Sequence, residues 1–192
     1  MTHGIFYLIL ASLCYAVMSI FIRIVNTEIP PFSQMFLRYF VTVTLAFIFV
    51  KLQKQTIKSK TSNGLILMIL VAFFGYTLST VFFTFSILAT TIATTLFLFS
   101  TNVIIAPILA FIILKERMPR NLLIAIGLSL IGALLLFQPD FQSKSVIGPL
   151  FALLASFATA VYYVGRRALK NHSAATMMFY ATTTGFISMA AA

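Results

Sequence analysis

Hydrogen-bonding side chains stand inside the long apolar stretches of this sequence, where water is scarce. The carboxamide of Asn102 has four hydrogen-bonding positions to fill and cannot cheaply face hydrocarbon. The charge of Arg38, in the stretch FLRYF, is costly unless it faces protein or water. Such groups either bind a polar solute in a cavity or join neighbouring helices, and the sequence leaves both roles open. The candidates for a substrate cavity are Ser12, Tyr15, Ser19, Arg38, Tyr76, Ser79, Thr94, Asn102 and Ser156.

Arg38 and the mid-stretch tyrosines each have a functional and a structural interpretation. Arg38 is either an anion-attracting group or an arginine that snorkels and bonds backbone carbonyls or Glu28. Tyr15 and Tyr76 stand near the middle of their stretches, whereas tyrosine usually gathers at membrane interfaces. Each hydroxyl therefore needs a partner, which a polar cavity or a neighbouring helix can supply.

Acidic residues are few and stand at the ends of the apolar stretches. Glu28, Glu116 and Asp140 are the only acids, so no carboxylate stands within a stretch to act as a proton relay. Glu116 lies just before the next predicted helix, where a carboxylate can bond exposed backbone amides. We interpret Glu116 as a structural latch, with a role in proton movement as the alternative.

Motifs of common enzyme classes are missing from the sequence. HExxH, GxSxG, a P-loop and paired acids do not occur. The lone Cys14 excludes a disulfide within the chain and a cysteine-based zinc site. We therefore predict that the protein is not an enzyme, with no catalytic residue, no metal and no cofactor.

The composition predicts that these residues are positioned by membrane-spanning helices. Hydrophobic residues make up 61% of the chain and charged residues only 8%, against about 25% charged in an average soluble domain. A spanning helix needs about 20 apolar residues. The uncharged stretch 61–114 is more than twice that length, so it must turn back, near 88–93. Seven spans are predicted, near 4–24, 32–51, 64–88, 92–114, 121–138, 147–168 and 174–192.

The distribution of basic residues predicts the orientation of the chain. The net charge is +10, and ten of the thirteen basic residues follow spans 2, 4 and 6. They are spread over loops rather than gathered on one soluble face, which argues against nucleic acid as a partner. The positive-inside rule places these loops, and the N-terminus, in the cytoplasm.

An internal repeat relates spans 1 and 6. LASLCYAV begins at Leu10 and LASFATAV at Leu154, with five of eight residues identical, and the same offset of 144 pairs Ser12 with Ser156. Five spans separate the two starts, so the second copy is inverted across the membrane. Inverted repeats with polar residues near the midplane are the layout of secondary transporters. The alternative is chance similarity between leucine- and alanine-rich helices.

Several motifs carry a family resemblance. In ILKERMPRNLLIAIGLSLIGALLLF, the residues Glu116, Gly127 and Gly132 match a glutamate at the end of one helix and two glycines in the next. Together with Arg38 and the hairpin FTFSILATTIATTLF, this pattern resembles the EamA domain of the drug/metabolite transporter superfamily. A proline that the family carries earlier in helix 4 is absent, and Pro107 is the candidate to set the kink there.

The resemblance implies a fold and a domain organisation. Family members place ten helices, in two repeats, around a central cavity. We accordingly predict an all-α integral membrane protein with seven transmembrane helices: one complete five-helix EamA repeat over 1–138, an external linker over 139–146, and the start of an inverted second repeat over 147–192. About three helices of the ten would be lacking, so we expect a truncated chain.

The predicted function follows from the repeat and the resemblance together. We expect a secondary transporter of small organic metabolites, amino-acid-like or drug-like, that works by alternating access between inverted repeats. The alternative is a non-transporting membrane scaffold or partner subunit. The expected partners are the lipid bilayer and a small-molecule substrate, with a homodimer left open. The expected location is the plasma (cell inner) membrane, as a multi-pass protein with a cytoplasmic N-terminus.

Overall fold

The computed structural model describes residues 2–53, 62–115, 120–137, 146–170 and 172–191, and within them it contains seven helices and no strand. Seven helices were predicted, and that number is confirmed. The helices are α1 (Thr2–Val25), α2 (Pro31–Leu52), α3 (62–89), α4 (Ile92–Leu114), α5 (Arg120–Phe137), α6 (Ile147–Ala168) and α7 (Ala174–Ala190).

Four of the described helices are long and apolar enough to cross a membrane. They are α2, α4, α6 and the part of α3 over Gly64–Ala89. The apolar parts of α1 and α5 found among the described residues are shorter, Ser12–Val25 and Asn121–Gly132. A multi-pass arrangement is therefore confirmed, whereas the crossing of all seven helices stays a prediction.

Helix α3 changes its helical period halfway along. It is α-helical over Ser62–Leu70, π-helical over Val71–Thr77 and α-helical again over Leu78–Ala89. Within the π-helical segment the Thr77 hydroxyl donates to the carbonyl of Ala72, five residues back, at 3.3 Å. Single π turns occur frequently at functional sites. Neither a proline nor a hydrophobic period in the sequence marks this one.

A tight turn joins α3 and α4 where the sequence predicted one. Thr90 has an extended backbone, and the Thr91 side chain caps α4 by accepting from the Thr94 amide at 3.1 Å. The Arg23 guanidinium donates to the Thr90 carbonyl at 3.1 Å, which ties the end of α1 to the turn. The predicted fold-back within 88–93 is thus confirmed.

Helix α4 is interrupted before its proline rather than at it. The α-helix ends at Phe99 and resumes at Asn102, and it then continues unbroken through Pro107. A kink set by Pro107 stays a prediction. Three consecutive side chains bond backbone carbonyls at this interruption, because Ser100, Thr101 and Asn102 donate to the carbonyls of Phe97, Leu98 and Phe99, each at 2.6 Å.

Helix α6 packs against both α3 and α4, while α7 packs against α2 and the π-helical segment. The face that α6 buries consists of small residues, including Ala152, Ala155 and Ser156. Small side chains let helices approach closely in a membrane. Where Gly75 of α3 meets α6, an added Cβ would lie only 2.7 Å from the Cα of Tyr162. The helices therefore approach with no room for a side chain at that point.

Candidate functional site

A cavity of about 590 Å³ lies between α1, α2, α3, α4 and α6. Its volume falls in the range of about 300–1,000 Å³ that is usual for small-molecule sites. We call it the Arg38 chamber, because Arg38 is the only charged residue among the described residues that line it. Its lining consists of Ser12, Tyr15, Met18, Arg38, Gly75, Tyr76, Ser79, Thr80, Phe83, Phe99, Thr159, Tyr162 and Tyr163.

Arg38 has few hydrogen-bond partners for a half-buried cation. Its Nη2 donates to the Met18 sulfur at 3.2 Å, and a thioether is a weak acceptor. Its Nη1 is buried and has no hydrogen-bond partner among the described residues. A buried charge is stable only when it is paired or well hydrogen-bonded, so this guanidinium retains unused capacity for an acceptor.

Aromatic rings form much of the chamber wall. The Tyr15 ring stacks on Phe99 with centroids 6.1 Å apart, and it also contacts Phe83 at 5.6 Å. Tyr76, which also lines the chamber, contacts Tyr162 with centroids 5.4 Å apart. Tyr15 nevertheless remains 40% exposed, so part of its ring is available to a further flat group.

The hydroxyl groups of Ser79 and Thr159 link α3 to α6 at the chamber wall. Ser79 Oγ donates to the carbonyl of Ala155 at 3.0 Å and forms a second bond with Thr159 Oγ1 at 2.5 Å. Because the Ser79 proton is used on the carbonyl, Thr159 is the donor in the second bond. The two side chains therefore line the chamber and join its helices at once.

The structure brings five of the nine predicted cavity residues together. Ser12, Tyr15, Arg38, Tyr76 and Ser79 all line the Arg38 chamber. Their spacing on α1, α2 and α3 turns them toward one space between the helices. Whether they contact a substrate stays a prediction.

The other four predicted residues bond to helices instead of lining this chamber. Ser19 is fully buried and donates to the carbonyl of Tyr15 in its own helix at 3.3 Å. Thr94 bonds Thr91 at the start of α4, and Asn102 donates to Phe99 as described above. Ser156 is fully buried and bonds Thr101 at 2.8 Å. Asn102 also lines a smaller cavity of about 380 Å³, together with Pro107 and Arg167.

Some chamber residues were not among those predicted from the sequence. Met18, Thr159, Tyr162 and Tyr163 belong to this group. A helical spacing could have pointed to two of them, because Thr159 and Tyr163 follow Ser156 by three and seven residues and so share one face of α6. Glu116, the predicted latch, lies outside the described residues.

A second cavity of about 550 Å³ lies between α2, α3, α6 and α7. We call it the Arg166 chamber, since Arg166 lines it together with Phe49, Ala174 and Met178. Tyr76 and Tyr162 line both chambers. Their ring pair therefore stands between the two spaces.

Apolar helices that enclose polar and aromatic chambers define a multi-pass membrane protein with internal space for a small solute. The family model described as the EamA-like transporter family matches residues 2–138. The chain belongs to this family. Because the family consists of transporters, the prediction that the protein is not an enzyme is confirmed, and so is the predicted EamA membership.

Curated relatives carry the same general description. The chain is 22% identical over 169 residues to a protein named "uncharacterized transporter" in Helicobacter pylori strain J99, covering 88% of this chain and 56% of that protein. It is 26% identical over 176 residues to one of the same name in Clostridium kluyveri, covering 85% and 56%. The chain thus spans about half the length of these relatives. No solved structure matches it.

The bond between Thr101 and Ser156 gives a prediction about stability. Thr101 donates to Leu98, so the fully buried Ser156 hydroxyl must be the donor to Thr101. Replacing Thr101 by valine keeps the shape and removes the acceptor, and it should lower the free energy of unfolding by about 1–2 kcal/mol. Thermal unfolding in detergent measures the effect. Ser129→Ala, at an exposed position on α5, is the control, and equal shifts in the two variants would contradict the prediction.

Proposed function

We propose that this protein is a secondary transporter that moves small organic metabolites by alternating access. The observation that carries the proposal is the pair of chambers separated by Tyr76 and Tyr162. A solute path that is open to one side at a time needs a binding space and an internal barrier. The two rings, which lie on different helices, are suited to form that barrier because either helix can move its own ring.

The orientation of the path follows from the positions of the basic residues. Arg166 stands in the last turn of α6, next to Arg167, and the positive-inside rule assigns such a cluster to the cytoplasmic side. The Arg166 chamber would then open inward. Arg38 is in the second turn of α2, about 10 Å from the start of that helix at a rise of 1.5 Å per residue. The start of α2 lies on the side opposite to the Arg166 cluster, so the Arg38 chamber would open outward.

The predicted repeats fit this arrangement. We propose that 1–138 forms the first repeat, that 139–146 is an external linker and that 147–192 begins the inverted second repeat. Helix α6 then brings Thr159 and Tyr162 from the second repeat against Ser79 and Tyr76 of the first. Substrate sites of secondary transporters lie at such repeat interfaces. The proposed location is the plasma membrane, with the bilayer and a small solute as partners.

The alternative function is a membrane scaffold or partner subunit. The hydrogen bonds of Ser19, Thr94, Asn102 and Ser156 favour it, because these polar groups are occupied in holding helices. Flux of a solute through reconstituted protein separates the two functions, since a scaffold moves none.

Cysteine accessibility tests the transport proposal without a known substrate. In a Cys14→Ser background, Ser12→Cys reports the Arg38 chamber and Ala174→Cys the Arg166 chamber. In proteoliposomes, a membrane-impermeant maleimide should label the first from the outer side and the second from the inner side. Leu135→Cys, on a highly exposed apolar face of α5, should react from neither.

Coupling between the chambers is the decisive measurement. A bulky maleimide on Ser12→Cys should hold the Arg38 chamber open and lower the reactivity of Ala174→Cys several-fold in the double variant. Labelling of both cysteines from one side, or complete independence of the two rates, would contradict alternating access.

A further inference from the structure

The Arg38 guanidinium has no oxygen acceptor among the described residues. Its bond to the Met18 thioether is the one hydrogen bond that the described residues give it, and Nη1 is buried without any. Methionine is unbranched and flexible, so its sulfur can give way to a better acceptor. A carboxylate is that acceptor, because it matches the planar donor fork of arginine with two parallel hydrogen bonds.

The rest of the chamber lining offers no counter-charge to a cationic ligand. None of the thirteen described lining residues is acidic. The Ser79 and Thr159 hydroxyls are already joined to each other and to α6. A ligand ammonium group would therefore meet an arginine and no counter-charge, which disfavours both amines and zwitterions relative to simple anions.

The aromatic lining selects a flat apolar group beside the anion. Tyr15, Phe83 and Phe99 form a contacting cluster on one wall, and Tyr163 lies on the α6 side with 48% of its surface exposed. Rings of this kind stack on, or meet edge-on, a further planar ring and gain about 0.5–1.5 kcal/mol beyond area burial for each such pair.

We propose that the Arg38 chamber binds aromatic monocarboxylates, with Arg38 holding the carboxylate in place of the Met18 sulfur and the Tyr15 wall holding the ring. The proposal rests on the transport function proposed above, and it adds to it the substrate class.

Indole probes test this directly, because the chain contains no tryptophan and the indole emission comes from the probe alone. The protein in phosphatidylcholine vesicles, which carry no anionic lipid to compete for Arg38, is titrated with indole-3-acetate and with tryptamine. Protein-free vesicles correct for partition into lipid. We expect indole-3-acetate to bind at least about tenfold more tightly than tryptamine, as a charge-assisted bidentate pair would give. Hexanoate, which has the carboxylate but no ring, should compete weakly.

Four variants separate the roles of Arg38 and Tyr15 from a general effect of charge. Arg38→Gln should weaken indole-3-acetate binding by about 10- to 100-fold. Arg38→Lys should lose less, because it keeps the charge without the planar fork. Lys51→Gln, which removes an exposed cation outside both chambers, should leave binding unchanged. Tyr15→Leu should weaken binding of indole-3-acetate but not of hexanoate.

The outcomes distinguish this proposal from the transport proposal. Equal binding of indole-3-acetate and tryptamine by the unmodified protein, or no binding of either, would overturn the substrate class, even if the Arg38 variants fail to fold. If the cysteines in the two chambers are still labelled from opposite sides, the transport proposal stands without the proposed substrate class. If indole-3-acetate binds as expected but the chambers are labelled from one side, the binding site stands and transport is wrong.

Discussion

Gly75→Ala should destabilise the protein strongly, whereas Gly127→Ala should not. Alanine favours a helix over glycine by about 1 kcal/mol, so both changes would be stabilising if packing were equal. At Gly75 the new Cβ would lie 2.7 Å from the Cα and Cβ of Tyr162 and 2.8 Å from its backbone nitrogen. Because two of these atoms belong to the backbone, the clash can be relieved only by moving α3 away from α6. At Gly127 nothing lies within 4 Å.

Separation of α3 and α6 would propagate through the site. The bond between Ser79 and Thr159 and the contact between Tyr76 and Tyr162 both cross this interface. We expect a loss of about 1–3 kcal/mol or more from overpacking, and loss of transport even in the protein that folds. Size-exclusion chromatography and thermal unfolding in detergent measure the first effect, and flux measures the second. A Gly75→Ala protein as stable as Gly127→Ala would show that α3 and α6 are not in close contact.

The helical framework could be predicted because it depends on properties that are local in sequence. The predicted span 147–168 coincides with α6, because Lys144 precedes that apolar run and Arg166 and Arg167 close it. The predicted span 92–114 coincides with α4, which begins after the uncharged turn within 88–93 and ends before Lys115. The π-helical segment Val71–Thr77 could not be predicted. Its residues are as apolar as their neighbours, and the irregularity depends on how α3 packs against α6 and α7.

The functional glycines were harder to identify than the helices. Gly127 and Gly132 carry part of the family resemblance, yet neither has an atom within 4 Å of an added Cβ. Gly75 and Gly165, which meet Tyr162 and Val71 of the facing helix, have no distinguishing sequence context. A glycine is required where two backbones approach, and the approaching partner is distant in sequence.

The same limit applies to the polar residues of the predicted cavity. Ser12 and Ser19 are seven residues apart and so share a face of α1, but Ser12 lines the Arg38 chamber while Ser19 is buried against its own backbone. A hydroxyl in a membrane helix can find a hydrogen-bond partner either in a chamber or on its own helix backbone. Whether such a hydroxyl lines a chamber or is buried depends on the depth at which the neighbouring helices separate.

The internal repeat likewise does not predict the surroundings of the residues that it pairs. Gly4 and Gly148 are paired by the repeat, but an added Cβ would meet nothing at Gly4 and would lie 2.7 Å from Thr90 at Gly148. Ser12 lines a chamber, whereas Ser156 is fully buried on Thr101. The inverted relation of the two repeats therefore stays a prediction that these local contacts do not decide.

Replacing both Tyr76 and Tyr162 by alanine should convert the proposed transporter into a leak. Among the residues that the structure describes, these two line both chambers, and their rings contact each other with centroids 5.4 Å apart. Without them the two spaces would merge into a continuous path. Ser12→Cys should then react with impermeant maleimide from the inner side at a rate that approaches its rate from the outer side. Solute should also equilibrate across the membrane without stimulation by an ion gradient.

The control for the double alanine variant keeps the rings and removes only the hydroxyls. Tyr76→Phe with Tyr162→Phe should remain closed to the maleimide from the inner side, because the barrier is the ring volume rather than a hydrogen bond. Folding of both variants is checked by chromatography in detergent, and Gly127→Ala provides the reference for an unaffected fold. If the phenylalanine variant leaks as the alanine variant does, the hydroxyls form the barrier. If neither leaks, the path between the chambers does not pass between these rings, and the alternating-access proposal loses the observation that carries it.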